Sequence, residues 1–327
     1  MTIPLFVLVG PTAVGKTRLA IDLALFGRSP DNPAGEVISG DSMQVYRGMD
    51  IGTAKPSMAE RRGVPHHLID VLDPRTDFSV ARFQEMVLRE AEAISTRGRL
   101  PMLVGGTGLY VRAVVNNYAF PPEEADWELR ARLMEEARRR GSDALHERLR
   151  LVDPAAAARI HPRDARRVIR ALEAATVGAR PISKDIELTA ARESPYDALL
   201  VGLDMSRAEL YGRIDRRIDR MIEAGLVEEV AHLLRGPGLG RTASQALGYK
   251  EIREYLEGRV CLNEAVARLK RNTRRFAKRQ MTWFRRDPRI HWFNVPNDGA
   301  DSPEYHRVVE GIARMIAQKW KWVYNQV

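Results

Sequence analysis

Ile3-Pro-Leu-Phe-Val-Leu-Val9, followed by Gly10-Pro-Thr-Ala-Val-Gly-Lys16-Thr17, decides how this 327-residue chain begins. The first segment is apolar and β-rich, which predicts a buried strand. The second spells G-x-x-x-x-G-K-T, and the amphipathic run from Thr17 to Leu25 predicts a helix over 16–26. Strand, glycine loop and helix is the setting in which this motif cradles phosphates. Gly10 and Gly15 let the backbone turn its N–H groups inward over Thr12, Ala13 and Val14. Lys16 brings a point charge for terminal phosphate oxygens, and the Thr17 hydroxyl at the helix N-terminus suits a magnesium ion.

A nucleotide hydrolase would add a magnesium-binding Asp at the end of a second apolar strand. The strand-like Leu100-Pro-Met-Leu-Val104 instead runs into Gly105-Gly-Thr-Gly108, where the polar group offered is the Thr107 hydroxyl. A carboxylate does follow another short strand, in Glu36-Val-Ile-Ser-Gly-Asp41. This argues against plain nucleotide hydrolysis. It leaves open a reaction in which a phosphate-bearing donor meets a nucleophile that Asp41 deprotonates.

Composition is that of an ordinary globular protein, with 44% hydrophobic and 29% charged residues and no solenoid repeat. One cysteine, Cys261, excludes an internal disulfide and a cysteine-built metal site and fits a reducing compartment. The leading apolar run is too short for a membrane span and lacks a basic leader, so a cytoplasmic protein without membrane attachment is expected. With no self-complementary apolar seam in view, a monomer is expected too. The net charge of +9 is unevenly placed. Between Glu264 and Arg286, Arg268, Lys270, Arg271, Arg274, Arg275, Lys278, Arg279, Arg285 and Arg286 face a single acid, while Val266, Leu269, Phe276 and Trp283 fall near helical spacing. A densely basic helix with so little acid nearby points to a polyanion such as RNA, with Trp283 or Phe284 as candidate stacking surfaces.

The early chain alternates strand and helix: strands over 3–9, 36–40 and 100–104, and helices over 16–26, 79–97 and 108–116. This predicts a parallel α/β sheet. From 117 to 196 the pattern is helical and arginine-rich, entered at Pro121-Pro122 and left at Pro195, which predicts an inserted domain. Asp197 to Asp204 returns to a buried strand, and Ser206-x-x-Glu209 predicts a capping box opening one helix through Leu234. Gly236 to Gly240 ends it, a helix resumes over 246–256, and the basic helix follows. The expected fold is α/β, a P-loop-type parallel sheet core with helices on both faces over 1–116 and 197–327, plus a small all-helical insertion over 117–196.

Several ordered segments together resemble one family. They are the phosphate loop, Asp41-Ser-Met-Gln-Val-Tyr-Arg-Gly-Met-Asp-Ile-Gly-Thr-Ala-Lys-Pro56, Leu103-Val-Gly-Gly-Thr-Gly-Leu-Tyr110, Asp164-Ala-Arg-Arg-Val-Ile-Arg-Ala-Leu-Glu173, Gln245-Ala-Leu-Gly-Tyr-Lys250 and Lys278-Arg-Gln-Met-Thr-Trp-Phe-Arg285. In this order they are similar to the bacterial tRNA dimethylallyltransferases, and the likeness spans nearly the whole chain.

The resemblance implies transfer of a dimethylallyl group from dimethylallyl diphosphate, with Mg2+, to the N6 amine of adenosine 37 in tRNAs reading codons that begin with U. Gly10, Thr12, Ala13, Val14, Gly15, Lys16 and Thr17 would hold the diphosphate, Thr17 sharing the metal. Asp41 would take the amine proton, or alternatively serve as an outer-shell metal ligand, and Thr107 would stand at the reacting centre beside Lys16. Contacts to tRNA are implied at Asp41, Ser42, Met43, Gln44, Arg130, Arg166, Arg167, Val168, Ile169, Arg170, Gln245, Gly248, Tyr249, Lys250, Lys278, Arg279, Gln280, Trp283 and Arg285. Three features depart from the family pattern: the longer Gly27 to Gly35 connection, Gly40 before Asp41, and Arg166 where glutamine is common. From the phosphate loop alone, a kinase of a small acceptor remains the alternative. His66, His67, His161 and His291 are read as structural, since none has ligands at metal spacing.

Overall fold

The computed structural model describes residues 2–120, 126–177, 181–236, 238–296 and 302–323. Pro121 and Pro122, the expected entrance to the insertion, and Pro237 lie outside the described residues. Along the chain run β1 (Ile3–Val9), α1 (Lys16–Ala24), β2 (Gly35–Ser39), α2 (Met58–Arg61), β3 (His66–His67), α3 (Val80–Thr96), β4 (Leu100–Gly105), α4 (Gly108–Val115), α5 (Trp127–Arg140), α6 (Ser142–Val152), α7 (Pro154–Arg159), α8 (Ala165–Thr176) and α9 (Ile182–Ala191). They are followed by β5 (Tyr196–Asp204), α10 (Arg207–Glu223), α11 (Leu226–Arg235), a 3-10 turn over Ala243–Gln245, α12 (Tyr249–Leu256), α13 (Leu262–Phe284), β6 (His291–Asn294) and α14 (Pro303–Lys319).

Two compact units result: Met1–Val115 with Pro195–Val327, and Asn116–Ser194. The first is built on one parallel sheet of order β3-β2-β4-β1-β5-β6. Strands walled on both faces must be apolar throughout, and Leu5 to Val9 are fully buried. The step from β1 to β2 runs one way across the sheet and the return to β4 runs the other. Right-handed crossovers therefore put α1 and α3 on opposite faces, where α14 joins α1 and α4 joins α3. Reversal of strand order opens a crevice at the carboxyl ends of β1, β2 and β4, the place where such sheets bind ligands.

The second unit is helical. α5, α6, α7 and α8 close over Leu133, Leu145, Leu149, Ala156, Val168, Ile169 and Leu172. No helix of the described residues is long and apolar enough to cross a membrane.

Four local differences from the sequence reading have plain causes. The single helix expected after Ser206 is two, because Gly225 takes φ 97 and reverses the backbone between α10 and α11. Ser206 does cap α10 by accepting from Glu209 N, but the box stays half-formed because Arg213 and Arg216 take the Glu209 carboxylate. The short α2 and two-residue β3 carry too few residues for a periodic signal. β6, with Trp292 and Phe293, adds an edge strand to the sheet that the sequence reading did not include.

At the amino end of β2, Glu36 is 1% exposed and receives Arg97 at 2.6 Å, Arg99 at 3.0 Å and His67 Nε2 at 2.7 Å. Burial alone would raise its pKa, but hydrogen bonds from Arg97, His67 and Arg99 hold it below 4.5. The unfolded chain therefore binds the proton first as pH falls. This stabilisation is present above 4.5 and lost as pH drops through the lower folded value. Glu36→Ala strands two guanidinium groups and is expected to cost about 3–5 kcal/mol, read by denaturant unfolding at neutral pH.

Candidate active site

Beyond Val9 the chain enters the phosphate loop with Gly10 at φ 147, Ala13 at φ 66 and Gly15 at φ 102. A Cβ on Gly10 would come within 2.7 Å of the Leu203 carbonyl, so the position has room only for hydrogen. No side chain caps α1, which leaves its first N–H groups open to an anion. Lys16 folds back over the loop, donating to the Gly10 and Pro11 carbonyls at 3.0 and 2.8 Å. Burial and then Arg217 bring its pKa down to about 7, against a smaller upward pull from Asp41.

Asp41 follows the end of β2, where Gly40 and Gly105 meet so closely that neither strand end could carry a side chain there without displacing the other. This contact accounts for the departure at Gly40. The Asp41 Oδ1 accepts the Met43 N–H at 2.8 Å, and the Asp41 N–H reaches the Ser39 hydroxyl at 3.4 Å. Gln44 accepts from that hydroxyl at 2.9 Å and donates to the Thr53 and Ala54 carbonyls at 3.2 and 3.4 Å.

The phosphate loop, Asp41, Gln44 and the segment over 50–56 line one cleft of about 1250 Å³. Its basic lining is Lys16, Arg18, Lys55, Arg62, Arg213, Arg216, Arg217 and Arg220, against Asp41, Asp50 and Glu60. A site of this make-up favours a polyanion. The α10 arginines are a finding the motifs missed. Arg213, Arg217 and Arg220 recur at helical spacing in the sequence, a signal that reading this segment only for its cap and its length passes over. Burial lowers the Arg217 pKa, the Asp41 charge acts against that shift, and Arg220 adds to it. Lys16 and Arg217 are thus two desolvated cations beside one carboxylate.

Among the described residues no three His, Cys, Asp or Glu side chains gather to hold a metal. An Mg2+ ion keeps waters and substrate phosphate oxygens as ligands and calls for few protein groups. Thr17 and Asp41 both line the cleft and supply the oxygens this chemistry uses.

Gln280, buried on α13, accepts the Thr12 N–H at 2.8 Å and donates to the Gly106 carbonyl at 2.9 Å, bolting the phosphate loop to the end of β4. Both ends of its amide are thus engaged within the protein, and the side chain also borders the cleft. Trp283 packs against Gly108 with Arg112 over its ring at 5.8 Å, and Phe284 is buried, which removes the latter as a stacking surface. Three further expected RNA contacts need correction. Val168 and Ile169 are 0% and 3% exposed in the helical core, and Tyr249 is 0% exposed with its hydroxyl on Glu229. Hydrophobic periodicity claims these positions for packing. Gly248, also buried, holds φ 93 at the start of α12.

Arg130 makes a bidentate pair with Glu173 and stacks over Trp127 at 4.6 Å. Thr107, next to the lining residue Gly106, is half-buried and lies just outside the cleft lining, as do Ser42 and Met43. Arg166, Arg167, Arg170 and Gln245 are exposed, and Lys250 is half-buried.

The basic helix is better supplied with acid than its sequence suggests. Arg268, Lys270, Arg274 and Arg285 pair with Glu254, Asp219, Asp215 and Asp204 from other elements. Arg271, Arg275, Lys278 and Arg279 are exposed and have no carboxylate partner among the described residues. Their spacing of i, i+4, i+7 and i+8 gathers them on one side of α13.

A family model described as IPP transferase matches residues 44–287. The tRNA dimethylallyltransferase of Symbiobacterium thermophilum is 55% identical over 321 residues, covering 98% of this chain and 97% of the relative. That of Carboxydothermus hydrogenoformans is 51% identical over 90% of this chain and 93% of the relative. Among solved structures, the tRNA isopentenylpyrophosphate transferase of Bacillus halodurans superposes with TM-score 0.70 at 46% identity, covering 99% of this chain and 98% of that one. A eukaryotic dimethylallyltransferase acting on tRNA gives TM-score 0.79 at 28% identity over 96% of this chain and 80% of that one. Sequence, sheet and phosphate loop agree, and the chain belongs to the IPP transferase family, that of the tRNA dimethylallyltransferases.

Proposed function

We propose that this protein transfers the dimethylallyl group of dimethylallyl diphosphate to the N6 amine of adenosine 37 in tRNAs reading codons that begin with U. One observation carries the reading: Asp41 lines the same cleft as the open phosphate loop and is electrostatically coupled to both Lys16 and Arg217. The allylic C–O bond breaks with its electron pair passing to the diphosphate. The loop N–H groups over 12–17, Lys16 and Arg217 lie where that charge grows. Thr17, with Asp41 as the alternative outer-shell ligand, would hold Mg2+, which would neutralise part of the same charge when bound.

The adenine amine attacks the allylic carbon and gives up one proton, which Asp41 accepts because the amine lone pair is delocalised until that proton leaves. A stacked base has no path to such a cleft, so the adenosine is turned out of its loop. Arg166, Arg167 and Arg170, with Arg271, Arg275, Lys278 and Arg279 of α13, supply contacts to the phosphate backbone. Three of the residues the family pattern offers for RNA (Val168, Ile169 and Tyr249) instead support the surfaces that bear these cations.

The test is mass analysis of nucleosides from tRNA incubated with protein, Mg2+ and dimethylallyl diphosphate. A five-carbon gain at A37, absent when position 37 is guanosine, is expected. No gain, or phosphate transfer from ATP to a small acceptor, would defeat the proposal.

A further inference from the structure

The Glu229 carboxylate on α11 is surrounded by four donors from two other parts of the chain. Its Oε2 accepts the Asp50 and Ile51 N–H groups at 2.9 and 2.7 Å, and its Oε1 accepts the Gly52 N–H at 3.1 Å and the Tyr249 hydroxyl at 2.5 Å. Three successive backbone N–H groups aimed at one anion form a nest, a device usually seen around phosphate; here the protein's own carboxylate fills it. Burial, then the neighbouring Glu229 charge, raises the Tyr249 pKa, so its hydroxyl stays a donor. Tyr249 in turn presses its ring against Gly52, where any side chain would collide with it.

The segment so held is a wall of the cleft: Asp50, Ile51, Thr53, Ala54, Lys55 and Pro56 all line it. It is also tied to the residue assigned the proton. The Thr53 and Ala54 carbonyls receive the Gln44 amide, Gln44 receives the Ser39 hydroxyl, and that hydroxyl receives the Asp41 N–H. No other carboxylate or carbonyl is hydrogen-bonded to the N–H groups of residues 50–52 among the described residues. Without Glu229, these three N–H groups lose their acceptor, and this part of the wall keeps its carbonyl-side ties, the Asp50–Lys55 ion pair and the Thr53 hydroxyl bond to Met49.

From this we infer that Glu229 is a positioning residue for transfer: through the 50–54 segment and Gln44 it fixes the turn that aims the Asp41 carboxylate into the cleft. The inference rests on the reading of Asp41 as the base. It differs from a general folding role in what it predicts, because the phosphate loop and its Gln280 bolt stand apart from this network. Glu229→Ala should therefore spare donor binding and slow the chemical step.

The experiment measures kcat and the KM for dimethylallyl diphosphate for wild type, Glu229→Ala, Glu229→Gln and Asp41→Asn, well below each melting temperature. Glu229→Ala is expected to lower kcat about 10- to 100-fold, with the donor KM within about threefold of wild type. Glu229→Gln, which keeps the shape and one acceptor oxygen, should fall between. It carries the test alone if Glu229→Ala does not fold. Wild-type kcat in the glutamine variant, or a loss confined to donor KM in either variant, overturns the inference while an inactive Asp41→Asn leaves the parent reading standing. A fully active Asp41→Asn overturns both.

Discussion

Asp41→Asn is expected to lower the transfer rate about 10²- to 10⁴-fold while dimethylallyl diphosphate still binds. The asparagine keeps an oxygen to accept the Met43 N–H, so the turn after β2 survives and the change is confined to proton acceptance. Equilibrium binding of the donor with and without Mg2+, set beside single-turnover transfer, separates the two roles open to this side chain. A base leaves binding intact and loses transfer. An outer-shell metal ligand loses the magnesium-dependent part of binding first, and that result would remove Asp41 from the proton step. Since Asp41 also acts to raise the Lys16 pKa, the neutral variant should in addition shift the lysine titration downward.

Lys16→Ala should cost about 10²- to 10³-fold in turnover, because a fixed donor is removed from the point where leaving-group charge develops. Its pH signature is more diagnostic than its size. In the free protein the ammonium titrates near 7, held down by burial and by Arg217. A bound diphosphate favours the charged form, so binding above that pH takes up a proton. From the lysine's side, affinity is flat below about 7 and weakens as pH rises beyond it, by up to about tenfold per unit. Calorimetry at pH 8 in buffers of different ionisation enthalpy reads the proton directly. Lys16→Ala should abolish that uptake, and an unchanged uptake would assign it to another group.

Much of the sheet was open to reading because its strands are continuous apolar runs and its first turn is a glycine motif whose backbone angles admit little else. Asp41 and Lys16 were legible for the same reason: each lies in the short stretch that follows a strand, Lys16 at the far end of the glycine loop, so local sequence places it. Elements with no local signature escaped. β3 is two residues long, β6 is a four-residue edge strand with no buried position, and the break at Gly225 depends on one residue inside a strong helical pattern. The site residues that escaped share a different cause. Arg217 and Glu229 reach the cleft and its wall from helices far along the chain, and their roles exist only after β5 has returned α10 and α11 to the sheet. Charge read along the sequence also misleads, since Asp215 and Asp219 sit on the helix that packs beside α13 and pair with Arg274 and Lys270 of what looked like a bare cationic run.

The Gln280 bolt has a consequence for how this enzyme is made. Its glycine loop is translated well ahead of the side chain that secures Thr12, which lies 268 residues further along the chain. A nascent chain halted before residue 280 carries the complete phosphate motif with its Thr12 amide still unfastened, so the loop gains this tie only with the docking of α13.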